Sequence, residues 1–402
     1  MELNILVYIA ILLAAGILFG RIVKLVKLPN VTGYLLAGLL LGPYIFKVLP
    51  ADVVESFSIV SEMALAFIAF TIGLTFKSSY FKRVGAMPIV IAIFEAMMAV
   101  FLVQGVLIVC GFNMPFAIVL GAIAAATAPA ATIMVIKQYK AKGPVTETLL
   151  SVVAIDDAVA LMAFGFSVTI ANSMNGASES MLMSILDPFI EIGLSVLIGT
   201  VVGILMLIPM KFFKKVSNRL SITVCAVFLS SGAATLFGAS SLLTTMITGM
   251  VFCNISKESD DIADIADSVT APIFMMFFVI SGAQLNINII PQIGLVGVLY
   301  VVVRVIGKIL GAFFGAKLVH APDKVCKYIG PTLIPQAGVA IGLTIAAQTA
   351  VPQYADQIRA VVLCATLIYE IIGPVITKIT LVKAGEIKTE LATVTTGLSK
   401  KS

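Results

Sequence analysis

The chain has few of the residues on which metal centres and hydrolytic sites depend. It contains no tryptophan, one histidine and five cysteines in 402 residues. The cysteines stand singly, with no CxxC pair, so disulfides and a metal-thiolate site are both disfavoured. With His320 alone, a histidine-based metal centre is excluded, and a Ser-His-Asp triad would need that residue as its base. No Walker-type phosphate loop is present, so neither ATP use nor a cofactor is expected.

Charge is also scarce. Only 12% of the residues are charged and 60% are hydrophobic, against roughly 45–50% apolar residues in a soluble domain, and the mean hydropathy is +1.11. The first apolar run is followed by Arg21, Lys24 and Lys27, the reverse of the charge order in a signal peptide. We therefore expect a polytopic membrane protein whose first run is retained. We interpret the net charge of +5 as a topology signal carried by the loops, and we expect no nucleic-acid partner.

The apolar runs predict an all-α protein. A membrane span needs about 20 residues at roughly 1.5 Å each. About thirteen runs meet this requirement: 3–22, 31–48, 55–76, 85–110, 115–137, 144–171, 184–210, 219–237, 240–255, 262–285, 291–318, 325–350 and 356–381.

The loops between these runs predict the topology, because cytoplasmic loops carry the excess of Lys and Arg. Every second loop is basic, whereas loops such as 111–114, 172–183, 238–239 and 286–290 contain neither residue; Lys47 and Arg359 are the obvious exceptions. We expect a multi-pass protein of a bacterial cytoplasmic membrane, in contact with lipid, with the N-terminus outside and the C-terminus in the cytoplasm.

Spans two to six and nine to thirteen look like two copies of one five-helix unit. The fourth helix of the first copy is interrupted by Thr127-Ala128-Pro129, and that of the second by Pro331 and the stretch 335–338. Copies offset by seven spans, an odd number, lie in opposite orientations. Inverted repeats with paired broken helices are typical of secondary transporters. The alternative is that each proline only kinks its helix.

Two adjacent carboxylates, Asp156 and Asp157, fall at the middle of the sixth span. A carboxylate there costs at least about 2.5 kcal/mol, and mutual repulsion adds to that cost. The two side chains must bind something or be protonated, which predicts an ion and proton site. Neighbours on a helix point about 100° apart, so one carboxylate can face an ion path while the other meets a partner. A pair serving helix packing alone is the alternative.

Arg304 and Lys308 lie four residues apart near the centre of the eleventh span. They are the natural countercharges of the carboxylates, although snorkelling or helix packing would also explain them. Thr127, at the first break, offers a hydroxyl ligand or a bond to its own helix backbone. Four acidic residues inside apolar runs receive no assigned role: Glu62, Glu95, Glu191 and Glu370.

At these residues the chain resembles the monovalent cation:proton antiporter superfamily, specifically the bacterial cation:proton antiporter-2 branch of sodium/proton exchangers. The resemblance runs from Thr32-Gly33-Tyr34-Leu35-Leu36-Ala37-Gly38, through residues 70–74, Asp156-Asp157 and Gly307-Lys308, to the Pro335 region. It implies crossed discontinuous helices and a homodimer with elevator-type alternating access. It also implies that Asp157 is the principal Na+ carboxylate, that Asp156 is the partner of Lys308, and that Thr127 is their neighbour.

The implied organisation is one transmembrane antiporter domain over residues 1–385. Its scaffold and dimer helices would be about 3–55 and 184–255, its core helices about 56–171 and 262–381, and residues 386–402 a short cytoplasmic tail.

The expected activity is exchange of Na+, or of Li+ or K+, for H+, without enzymatic chemistry. Many electroneutral relatives have Asn-Asp at the central pair and Thr-Asp-Pro at the first break. Asp-Asp and Thr-Ala-Pro here therefore favour electrogenic exchange. Potassium-efflux relatives typically have Gln-Asp and a nucleotide-binding domain, which disfavours that type without excluding K+. A channel or a membrane sensor is a rival, and an intramembrane enzyme lacks a His-rich site.

Overall fold

The computed structural model describes residues 4–78, 85–174, 181–256, 258–285 and 293–387, and within these ranges the regular structure is helical, without strands. Lys82, Arg83, Lys257, the loop 286–290 and the predicted tail beyond Ile387 lie outside the described residues. The described α-helices are α1 Ile5–Leu25, α2 Asn30–Leu41, α3 Ala51–Ser56, α4 Ser58–Thr75, α5 Met87–Val109, α6 Met114–Ile123, α7 Pro129–Tyr139, α8 Pro144–Met174, α9 Met181–Phe212, α10 Val216–Phe237, α11 Ser241–Ile255, α12 Ser259–Gln284, α13 Gly294–Leu318, α14 Asp323–Thr332, α15 Gly338–Ala350 and α16 Ala355–Lys383.

The length and surface of these helices suit a bilayer. Among the described residues, eight helical segments are long and apolar enough to cross a membrane, and four shorter apolar helices accompany them. Large apolar side chains remain exposed on α9 and α13, such as Leu197 at 61% and Val298 at 58%. Apolar faces of this extent mark contact with lipid or protein. In lipid, the backbone N–H and C=O groups must form hydrogen bonds with each other, as they do in a helix. The protein is a multi-pass membrane protein.

The chain forms two compact units. The first comprises Met1–Ser56, Met87–Asn175 and Phe278–Ser402. Its core is built from small and aromatic side chains of α5, α6, α8, α13 and α16, with Phe116, Tyr300 and Tyr369 almost fully buried. The second comprises Phe57–Ala86 and Gly176–Phe277, in which α11 packs against α4, α9 and α10. The predicted division into scaffold and core helices stays a prediction.

The thirteen predicted runs correspond to these helices, with one run too long. The run 31–48 corresponds to α2, which ends at Leu41 because Gly42 is extended, with ψ of 173°. Pro43 explains this end, since the residue before a proline is pushed out of the helical region. The predicted helical conformation of residues 43–48 is therefore wrong. Both predicted breaks are present: the run 115–137 is divided into α6 and α7, and the run 325–350 into α14 and α15. Pro331, which is predicted to contribute to the second break, instead lies inside α14, and the break follows Thr332.

The two five-span copies make one contact twice. In the first unit, a Cβ on Gly38 of α2 would overlap the carbonyl oxygen of Val279 in α12. In the second unit, a Cβ on Gly249 of α11 would overlap the carbonyl oxygen of Phe70 in α4. Each contact joins the first span of one copy to the second span of the other, as expected of two copies of one five-span unit. Only glycine permits so close an approach of two backbones.

The N-terminus of α8, the helix that carries Asp156 and Asp157, is bound by Glu386. Its Oε1 accepts the Val145 N–H at 2.7 Å. Its Oε2 accepts the Thr146 N–H at 2.7 Å and the Thr146 hydroxyl at 2.6 Å. The Glu386 side chain is buried, so a carboxylate satisfies helix-end donors and complements the positive end of the helix dipole. Glu386, which follows α16, thereby fixes the N-terminus of α8.

We expect Glu386→Ala to lower the free energy of unfolding by about 1–2 kcal/mol, the usual loss when a helix cap is removed. Thermal unfolding of the detergent-solubilised protein measures it. Glu55→Ala, at an exposed position of α3, is the control and should stay within about 0.5 kcal/mol of the wild type. Equal stability of the two variants would contradict the assigned cap.

Candidate functional site

The two breaks lie against each other in the first unit. The Ala128 N–H in the first break donates to the Pro335 carbonyl in the second at 2.8 Å. From the second break, the Gln336 amide donates to the Ile123 carbonyl at the end of α6 at 2.9 Å. Each interrupted helix therefore supplies a hydrogen-bond partner for a backbone group that the break leaves without an intrahelical partner in the other helix. Sequence reasoning assigned no role to Gln336, because a Pro-Gln-Ala-Gly stretch does not indicate which helix it meets.

Arg304 binds the carbonyl groups of both breaks. It is fully buried on α13, and it donates to the carbonyls of Ala124 at 3.0 Å, Ala126 at 2.7 Å and Ile334 at 2.7 Å. Its guanidinium also lies over the Tyr369 ring, 4.6 Å from the centroid. The ends of interrupted helices present partial negative charge, which this cation offsets. The structure thus places Arg304 on backbone carbonyls, and its predicted pairing with the aspartates is absent from the ion pairs of the described residues.

Lys308 lies one turn further along α13 and carries the contact to the carboxylates. Its ammonium is 3.3 Å from Asp156 Oδ2 and donates to the Thr127 hydroxyl at 2.7 Å and to the Ala125 carbonyl. Asp156, Thr127 and Lys308 are all buried. The structure therefore brings together the three predicted residues Asp156, Lys308 and Thr127. The Thr127 hydroxyl is at present an acceptor for the lysine.

Glu95 is the site residue to which sequence reasoning assigned no role. Its Oε2 lies 2.7 Å from Lys308 Nζ, and both side chains are fully buried. Glu95 sits on α5, which packs closely on α13 at Gly307 and Gly311: a Cβ on Gly311 would lie 2.7 Å from the Glu95 Cα. The available signal was the glycine spacing beside Lys308, which indicates a close helix partner without identifying it.

Asp157 differs from its neighbour in surroundings. Its side chain is partly exposed, whereas that of Asp156 is fully buried. Asp157 Oδ1 has no hydrogen-bond partner among the described residues, and the same holds for Asp156 Oδ1 and for both carboxylate oxygens of Glu95, although Glu95 Oε2 is in an ion pair with Lys308. Adjacent helix positions point about 100° apart, which is why one aspartate meets Lys308 and the other does not. The arrangement supplies unsatisfied carboxylate oxygens, which are ligands suited to a hard cation or a proton.

The remaining acidic residues of the apolar runs lie on other helices. Glu370 is buried on α16 at 4% exposure, Glu62 is exposed on α4, and Glu191 is partly buried on α9. None of the three contacts Lys308 in the part of the chain that the structure describes.

The family model "Sodium/hydrogen exchanger, transmembrane" matches residues 9–383. The chain is 23% identical over 315 residues to the probable Na+/H+ antiporter 2 of Methanocaldococcus jannaschii, covering 72% of this chain and 71% of that one. It is 23% identical over 366 residues to the Na+/H+ antiporter NhaS4 of Synechocystis, covering 81% and 84%.

Solved structures agree at the level of the fold. The sodium proton antiporter MjNhaP1 of M. jannaschii at pH 8 matches with a TM-score of 0.66 and 19% identity, over 99% of both chains. An electron-microscopy structure of the same antiporter matches with a TM-score of 0.73 and 20% identity, over 100% of both. With the family model covering nearly all of the sequence, the chain belongs to the sodium/hydrogen exchanger family of transmembrane proteins.

Proposed function

We propose that this chain is a secondary active antiporter that exchanges Na+ for H+ across the bacterial cytoplasmic membrane, with Asp156 and Asp157 as its ion and proton site. The observation that carries the proposal is the buried Lys308 ammonium 3.3 Å from Asp156, beside an Asp157 oxygen without a partner among the described residues. Membership of the family and the printed names of the relatives support these two substrates.

The proposed coupling is a competition for carboxylate oxygens. At the depth of a membrane interior, a carboxylate is stable when it is protonated, paired or bound to a cation. Na+ and H+ therefore exclude each other at Asp157. For Asp156 to join as a second Na+ ligand, the Lys308 ammonium has to move away from it. The same movement releases the Thr127 hydroxyl, now 2.7 Å from Lys308 Nζ, to act as a third ligand.

The remaining features follow from the family resemblance and the pattern of basic loops. We propose a homodimer in which elevator-type movement alternates access to the site. The N-terminus would lie outside and the C-terminus in the cytoplasm. Two paired helix breaks within one chain favour a transporter over a channel, because channels usually assemble their pores from several subunits.

Asp157→Asn keeps the size of the side chain and removes the exchangeable charge. We expect this variant to lose sodium-driven proton flux in proteoliposomes, read by a pH-sensitive dye. Asp52→Asn, at an exposed position of α3, is the matched control and should transport at the wild-type rate. Sodium, lithium and potassium pulses in turn identify the cation. Wild-type flux from Asp157→Asn would refute the assignment of the site.

The contact between Asp156 and Lys308 is tested by a double-mutant cycle on thermal stability. Lys308→Ala leaves Asp156 and Glu95 without their common ammonium, so a loss of about 3–5 kcal/mol in unfolding free energy is expected. Adding Asp156→Asn should recover part of this loss, and only part, because Glu95 stays unpaired. Strictly additive effects would mean that the two residues do not interact.

Exchange should be electrogenic, with more than one proton entering for each cation that leaves, because several ionisable groups share one site. A net charge that crosses the membrane gains about 2.3 kcal/mol per 100 mV, or roughly 1.6 decades of cation gradient. A sodium jump over protein on a solid-supported membrane should therefore evoke a current, and an imposed potential should accelerate exchange. Proton flux without either signal would show one-for-one exchange.

A further inference from the structure

The Lys308 ammonium has more acceptors than protons. Four oxygens surround its Nζ: Glu95 Oε2 at 2.7 Å, Thr127 Oγ1 at 2.7 Å, the Ala125 carbonyl, and Asp156 Oδ2 at 3.3 Å. A lysine ammonium donates three protons; here they go to Ala125, Thr127 and Asp156, while Glu95 Oε2 is in ion-pair contact without a hydrogen bond. Among these contacts the one to Asp156 is the longest, and Glu95 is the nearer of the two carboxylates. Lys308 can therefore give up Asp156 and keep a charged partner.

Packing fixes the contact to Glu95. Glu95 and Lys308 stand on α5 and α13, whose backbones touch where a Cβ on Gly307 would lie 2.6 Å from the Ala99 Cα. Two helices in such contact cannot separate without losing that packing. Asp156 comes from a third helix, α8. The lysine is thus held between a partner on a tightly packed neighbouring helix and a partner on the helix that carries the proposed cation ligands.

A buried ammonium without a carboxylate is strongly destabilised. If Asp156 were its only charged partner, every cation that took Asp156 would leave Lys308 in that state, and cation binding would be weak. The other charged group on the facing side of α13, Arg304, is bound to backbone carbonyls, and α6, which packs on α5, has no titratable residue. Within the described residues, Glu95 is the carboxylate in position to receive the ammonium.

We propose that Glu95 is the second partner of Lys308, and that the ammonium passes from Asp156 to Glu95 when the cation binds. Glu95 is a positioning residue in this scheme: it does not touch the cation, and it lowers the cost of releasing Asp156. This inference rests on the proposed exchange function and assigns one of its residues.

The first test is the sodium dependence of transport in Glu95→Gln, with Glu95→Asp and Glu62→Gln beside it. Without the Glu95 charge, cation binding leaves the Lys308 ammonium without a carboxylate partner. The KM for Na+ should therefore rise about tenfold while the maximal rate stays within about twofold. Glu95→Asp restores a carboxylate and should recover most of the affinity. Glu62 is exposed on α4, and its variant should match the wild type. A lower maximal rate at unchanged KM would show a structural role only and overturn the proposal.

The second test separates partner exchange from simple attraction of the cation by a negative charge. Sodium-dependent thermal stabilisation measures apparent affinity even in variants that do not transport. In the Asp156→Asn background the lysine stays with Glu95 with or without Na+, so Glu95→Gln should leave the sodium affinity unchanged there. An equal loss of affinity in both backgrounds would overturn the proposal.

The two proposals fail separately. A wild-type protein without sodium-driven proton flux would remove the exchange function. The Glu95 assignment would still be decided by the sodium titration of thermal stability, in which a background-independent shift, or no shift at all, counts against it.

Discussion

The site depends on one constraint: two helices are interrupted at buried residues inside the protein, so that the backbone groups of the breaks need partners there. In a lipid environment an unbonded carbonyl or N–H group costs several kcal/mol, so both breaks require partners inside the protein. Arg304 provides three of these bonds with a single side chain, and Gln336 and the Ala128 N–H add direct bonds between the breaks. Without a buried cation on α13, the broken helices would present carbonyls to an apolar core.

Arginine and lysine on the same face of α13 serve different purposes for a physical reason. A guanidinium is planar, always charged and has five donors in a fixed fork. It is therefore suited to a permanent set of carbonyls, and its position over the Tyr369 ring fixes it further. An ammonium is a compact charge with three rotatable donors on a flexible stem. With four oxygens around Lys308 Nζ, such a group can change partners by a short movement of its stem.

Much of the fold was readable from the sequence, because the periodic signals are local. Apolar runs predicted the helices, and Pro129 and Pro335 predicted the breaks, since proline removes a backbone donor wherever it stands; Pro331 stays inside α14, close to its end. The adjacent aspartates at the middle of α8 indicated a site, because the free-energy cost of a charged side chain inside a membrane span follows from its position in that span. The helical prediction for residues 43–48 is wrong because the apolar run continues past Pro43, whereas the helix ends before it.

The site could not be completed from the sequence, because its contacts join distant parts of the chain. Arg304 was expected near the aspartates on charge alone, but neutral carbonyls at helix ends also attract a cation, and sequence does not show where those ends point. Glu95 looked like any acidic residue in an apolar run. What distinguishes it is the packing of α5 on the glycine face of α13, which brings its carboxylate 2.7 Å from Lys308. Glycine spacing indicates that a helix approaches closely, but the identity of that helix is a property of the fold.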